Sequence, residues 1–162
     1  MFLWSIIAGL FLSITTLAGT WIVDQFQGLQ GHWGVVSEWQ TDVNESILLG
    51  AWSLTMTQRD VSADGFMADM AYRRYVNQAN KGVFYSFGLR AGQATVTQGD
   101  ITENEWLMVP YYDAGVKAQL SQRWFHYLKL EVSVNLLYTD QINVDHWLGI
   151  QLTPSFAFGY QL

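Results

Sequence analysis

The stretch Trp124–Tyr138 alternates with a period of two. His126, Leu128, Leu130, Val132, Val134, Leu136 and Tyr138 fall on one face. Phe125, Tyr127, Lys129, Glu131, Ser133, Asn135 and Leu137 fall on the other. A helix would mix these two sets, because its faces recur every three to four residues; an extended strand separates them. The C-terminal segment follows the same rule. Leu148, Ile150, Leu152, Pro154, Phe156, Phe158, Tyr160 and Leu162 lie opposite Trp147, Gly149, Gln151, Thr153, Ser155, Ala157, Gly159 and Gln161. The chain is therefore bound to β-structure over about its last quarter.

Five earlier stretches alternate with less contrast: Gly31–Gln40, Ser46–Thr57, Phe66–Val76, Val83–Val96 and Val109–Leu120. Their apolar faces are expected to carry Trp33, Val35 and Trp39; Leu48, Trp52, Leu54 and Met56; Ala68, Met70, Tyr72 and Val76; Val83, Tyr85, Phe87 and Leu89; and Tyr112, Val116 and Leu120. The connections Thr41–Asn44, Gln58–Asp64, Asn77–Gly82, Gln98–Asn104, Leu120–Arg123 and Thr139–Asp145 are polar or Gly-containing and read as turns. No internal domain boundary or low-complexity tract interrupts the pattern.

Two environments produce such alternation. A lipocalin-like soluble barrel turns its apolar face inward, whereas a membrane barrel turns it to lipid and keeps the polar face inside. Composition favours the second. Of the 162 residues only 14% are charged while 50% are apolar and 15% aromatic, against about 25% charged in an ordinary soluble domain. The polar faces hold small residues such as Ser53, Ser86, Gly88, Gly115, Ser133 and Ser155, which suit a narrow filled interior. They also hold Glu38, Asp69, Asp113 and Glu131 against Arg73, Arg90, Lys117 and Lys129. Such a balanced set is what a sealed interior requires, since an unpaired buried ion costs several kcal/mol. These eight residues are the candidate interior charge network. Trp33, Trp39, Trp52, Tyr72, Tyr85, Tyr112, Tyr138 and Tyr160 are expected on the outer face, where Trp and Tyr favour the headgroup level.

The region 1–22 contains no charged side chain. It reads as a secretory signal peptide (1–18, with Thr16-Leu17-Ala18 as a small-x-small site), as the start of a first strand, or as a retained membrane helix. Residues 19–162 are expected to form a single β-barrel domain. Seven strands are readable from residue 28 onward, and an even count requires an eighth that includes Gly19–Phe26.

On these residues the chain resembles the small eight-stranded outer-membrane barrels of the OmpA and OmpX type. The resemblance covers roughly residues 20–162 and rests on pattern. It implies an all-β fold, a closed antiparallel up-and-down transmembrane β-barrel, in the bacterial outer membrane. The implied surroundings are outer-membrane lipid and lipopolysaccharide, the barrel-assembly machinery and an unidentified protein partner. Both chain ends would lie on the periplasmic side, with Gln58–Asp64, Gln98–Asn104 and Thr139–Asp145 as external loops. The segment Phe156-Ala157-Phe158-Gly159-Tyr160-Gln161-Leu162 looks like the alternating aromatic signal that the assembly machinery reads, although it ends in Leu162 rather than Phe or Trp. Tyr112–Val116 through Arg123-Trp124 looks like the late-strand pairs of uncharacterised small outer-membrane proteins. That resemblance implies surface, anchoring or interaction roles more often than catalysis, and the leading reading is a structural membrane component, a surface-interaction module or a very narrow pore.

Catalytic chemistry has little footing in the residues. The chain has no cysteine, which removes thiolate nucleophiles and thiolate metal sites. His126 is flanked by Phe125, Tyr127 and Leu128 with no Ser, and the His-x-Ser arrangement of lipid A deacylases is absent. His146 neighbours Asp145 on the opposite face, and His32 shares a face with Glu38. Asp100, Glu103 and Glu105 are expected in a solvated external loop, with weak divalent-cation binding as the alternative. No cofactor and no metal site are implied. A net charge of −6 argues against nucleic acid, which needs a basic stripe. The expected function is a non-enzymatic outer-membrane barrel with a plugged polar interior. The alternatives are a lipid-modifying barrel enzyme and a soluble lipocalin-like ligand-binding barrel.

Overall fold

The computed structural model describes residues 20–27, 32–58, 61–76, 81–138 and 149–161. The candidate signal segment 1–18 and the Thr139–Asp145 loop lie outside these residues. The described chain forms the strands β1 (Thr20–Gln27), β2 (His32–Asp42), β3 (Glu45–Gln58), β4 (Val61–Tyr75), β5 (Gly82–Gln98), β6 (Ile101–Gln119), β7 (Trp124–Tyr138) and β8 (Gly149–Gln161). The fold is all-β, antiparallel and up-and-down, as the alternation requires. Every strand pairs with its sequence neighbours, and β1 also pairs with β8 from Thr20↔Gln161 to Asp24↔Ala157, which closes the ladder into a barrel. The end where β1 begins and β8 ends also carries the β2–β3, β4–β5 and β6–β7 connections. It is called the terminal end below, and the opposite end the distal end.

Several strands run further than the apolar alternation suggests. β4 begins at Val61 rather than Phe66, and β6 at Ile101 rather than Val109. The expected loop Gln98–Asn104 shrinks to a turn at Gly99-Asp100, with Gly99 in the left-handed region at φ 58° that favours glycine. Glu103 and Glu105 are thus strand residues, paired with Val96 and Ala94, and not part of a loop. The physical reason is that backbone ladders do not need apolar side chains. The hydrophobic signal fades where the outer face leaves the apolar belt, but the hydrogen bonding continues.

The outer face is apolar over most of its height. Phe66, Met70, Phe87, Trp106, Met108, Leu128, Leu130, Val132, Ile150 and Leu152 are all exposed, Ile150 by 79%. Among the described side chains, outward strand positions carry charge only near strand ends, at Asp42, Glu45, Asp64 and Arg74. On β5 the apolar outward run from Val83 to Ala91 covers about 27 Å of strand, or roughly 20 Å of height at a tilt near 40°. Toward the terminal end the outer face is aromatic. Tyr72 lies 5.2 Å from Phe87, Tyr85 stacks 6.4 Å from Tyr112, and Trp124 meets Tyr160 edge-on at 5.0 Å.

One strand is turned over relative to the sequence reading. The set Leu48, Trp52 and Leu54 was expected outward, yet all three are buried in the interior, and Ile47 and Leu49 are exposed instead. Both parities of β3 are apolar, so hydropathy does not choose between them. The β3–β4 register does. Leu48 opposes Ala71, Gly50 opposes Asp69 and Trp52 opposes Met67, and directly opposed residues share a face. Since Asp69 must point inward to be paired, its opposed neighbours point inward with it.

Candidate functional site

The inner face separates into layers. Toward the terminal end the interior is lined by Tyr75, Phe84, Phe125 and Tyr127, all buried. Their rings meet edge-on or tilted, with Phe84–Tyr127 centroids 5.5 Å apart and Phe125–Tyr127 5.2 Å. Toward the distal end Leu54, Val61, Ala63, Ala94, Val96, Leu107 and Val109 are buried on the inner face, which the half-buried Glu103 and Glu105 share as the strand partners of Val96 and Ala94. Between these layers sit all eight charged residues expected inside. Glu38, Asp69, Arg73, Arg90, Asp113, Lys117, Lys129 and Glu131 are each at most 9% exposed.

They form two clusters. In the first, Glu38 on β2 is the hub. The Tyr75 hydroxyl donates to its Oε1 at 2.7 Å, and the Tyr127 hydroxyl to its Oε2 at 2.6 Å. Lys117 Nζ donates to Oε2 at 3.2 Å, and Arg73 Nη1 lies 3.6 Å from Oε1. Arg73 Nε donates to Ser86 Oγ at 3.0 Å. The cations also lie over ring faces: the Arg73 guanidinium is 4.1 Å from the Phe84 centroid, and Lys117 Nζ is 4.2 Å from that of Phe125. Such contacts favour a desolvated cation. With one carboxylate and two cations, this cluster has one excess positive charge.

In the second cluster, Arg90 on β5 crosses the interior to β7. Its Nη1 and Nη2 each donate to Glu131 at 2.7 Å, the two-pronged geometry of a strong guanidinium–carboxylate pair. Arg90 Nε lies 3.7 Å from Asp69 Oδ2. Asp69 accepts from Trp52 Nε1 at 2.8 Å and from the Tyr111 hydroxyl at 2.9 Å. The Arg90 guanidinium sits between those two rings, 4.5 Å from Trp52 and 4.2 Å from Tyr111. Lys129 Nζ lies 3.2 Å from Asp113 and 3.5 Å from Glu131. Three carboxylates against two cations give this cluster one excess negative charge, which offsets the first.

The sequence alone does not mark the aromatic partners as site residues. Alternation puts Trp52 on the wrong face. It puts Tyr127, and Tyr111 opposite Tyr112, inward but gives their hydroxyls no partner, because that partner comes from a strand distant in sequence. A usable signal was present: Phe84, Tyr111 and Tyr127 occupy the same parity as the charges on β5, β6 and β7.

Two glycines make this packing possible. A Cβ on Gly34 would meet the Trp52 ring at 2.5 Å, and one on Gly88 would meet the Tyr111 ring at 2.6 Å. Gly34→Ala is expected to destabilise the protein by about 1–3 kcal/mol, the usual cost of overpacking. Near-UV circular dichroism of the folded variant in detergent should show an altered Trp signal, and an unchanged spectrum and stability would contradict this packing.

His126 is the histidine whose side chain is described. It lies on the outer face with its ring 5.8 Å from that of Phe156. Among the described residues no group of three or more His, Asp or Glu side chains is placed to hold a metal ion.

The chain thus has the architecture of an up-and-down β-barrel with an ionic interior and an apolar exterior. A solved structure with this architecture is the N-terminal β-barrel domain of Pseudomonas aeruginosa OprF. The two align with a TM-score of 0.64 over 90% of this chain and 98% of that one, at 11% sequence identity. The likeness is one of fold. No protein-family model and no curated protein matches the sequence.

Proposed function

We propose that this chain is a non-enzymatic outer-membrane β-barrel whose eight strands cross the bilayer and whose interior is plugged by paired ions. The carrying observation is the partition of its side chains. Leu128, Leu130, Val132, Ile150 and Leu152 face outward, while Lys129, Glu131 and Arg90 face inward, paired and buried. In water this arrangement would expose an apolar surface far larger than monomeric soluble proteins tolerate. In lipid the same surface is solvated. The fold shared with the OprF domain supports the same surroundings.

An eight-stranded barrel leaves room for side chains and little else, and the proposed plug is made of the aromatic, ionic and apolar side chains that point inward. The reading therefore assigns a structural or surface-interaction role, with outer-membrane lipid and lipopolysaccharide as its surroundings and the barrel-assembly machinery as its route there. Purified protein is expected to migrate differently before and after boiling in detergent gels, as a closed barrel does. In planar bilayers it is expected to give little or no conductance. Steady, large single-channel currents would refute the plugged interior, and recovery of the folded protein in detergent-free buffer would refute the membrane assignment. Incubation with lipopolysaccharide or phospholipid is expected to leave both unchanged by mass analysis; hydrolysis or acyl transfer lost in His126→Ala would establish a lipid-modifying enzyme instead.

A further inference from the structure

We propose that the space between the two ion clusters is a binding site for one water molecule, which bridges Arg73 Nη1 to Asp113 Oδ1. Both atoms are buried and make no hydrogen bond within the protein. Both residues line the same cavity of about 20 Å³, together with Asp69, Tyr111, Tyr127 and Lys129. A water needs about 10–15 Å³ measured this way and two to four polar partners. A buried donor or acceptor with no hydrogen bond is costly, even where, as for Arg73 Nη1, a carboxylate oxygen lies 3.6 Å away, so a ligand that serves both at once is favoured.

The lining selects the ligand. Asp69 and Asp113 offset Arg73 and Lys129, so neither a cation nor an anion gains net attraction there. A neutral molecule with both donors and acceptors fits, and the size admits water alone. Arg73 Nη1 donates to the water oxygen, and the water donates to Asp113 Oδ1. Its second hydrogen has the Tyr111 and Tyr127 oxygens as acceptors, since those hydroxyl protons already go to Asp69 and Glu38. The water then joins the cluster with excess positive charge to the one with excess negative charge. The site stands on interior geometry and does not depend on the membrane reading.

A high-resolution crystal structure of the detergent-purified protein, soaked separately in rubidium and bromide, tests this. The expected result is one density peak within hydrogen-bond distance of both atoms, with no anomalous signal from either ion. A rubidium or bromide peak, an empty cavity, or Arg73 in direct contact with Asp113 would overturn the proposal. In solution, oxygen-17 relaxation dispersion should detect a long-lived internal water, and Asp113→Leu should lower its amplitude by one water equivalent. An amplitude unchanged in a folded Asp113→Leu protein would also overturn it. The wild-type crystal decides the matter if that variant does not fold.

Discussion

Arg90→Leu is expected to lower folding stability by about 3–5 kcal/mol, the range for removing one partner of a buried ion pair. Arg90 supplies the two short bonds to Glu131 and the nearest cation to Asp69. Without it Asp69, Asp113 and Glu131 share Lys129 alone, in an interior that water does not reach freely. The loss exceeds the energy of the bonds themselves, because the surviving carboxylates stay buried. The double variant Arg90→Leu/Glu131→Leu removes the orphan along with its partner and is expected to recover much of the stability. Urea titration of the protein folded in detergent or vesicles reads both. If the single variant is as stable as wild type, Arg90 does not hold the interior together. If the double variant is no better than the single one, the loss comes from packing against Trp52 and Tyr111 instead.

Leu130→Arg probes the outer face of β7, the strand that carries Glu131 inside. Leu130 is 48% exposed and lies opposite Ala114 and Pro154 in the sheet. In a membrane barrel, arginine on the lipid face near the bilayer midplane costs about 2–4 kcal/mol. In a soluble barrel the same exposed substitution would usually fall within about 0.5 kcal/mol of wild type. The expected result is a clear destabilisation in vesicles, larger in thick bilayers than at the interfacial position Arg123 under any polar substitution. A neutral outcome in a correctly folded protein would mean that this face meets water, and the membrane assignment would fail with it. Together the two substitutions test the inside and the outside of the barrel.

Much of this organisation is legible in the amino-acid order. Lys129 and Glu131 sit among Leu128, Leu130 and Val132, and a strand can only send the two sets to opposite sides. The same holds for Asp69 and Arg73 on β4, Arg90 on β5, and Asp113 and Lys117 on β6. The strand class, the parity of these strands and the eight inward charges follow from that local rule, because side-chain direction in a strand depends on position alone. β3 escapes the rule because both of its faces are apolar. There Gly50 opposite Asp69, a pairing between strands, turns Trp52 inward. Strand ends escape it too: beyond the apolar belt Thr102 and Asn104 read as loop, yet the β5–β6 ladder continues to Gln98↔Ile101.

Which carboxylate meets which cation is of another kind. Glu38 and Tyr127 are 89 positions apart, and Arg90 and Glu131 are 41 apart. No local period encodes such distances. They are set by the register of every intervening strand and by the curvature that brings β2 within reach of β7 across the interior. Alternation tells each charge which side of the wall to occupy, whereas its partner is chosen by three-dimensional closure, since electrostatic pairing acts through space and not along the chain.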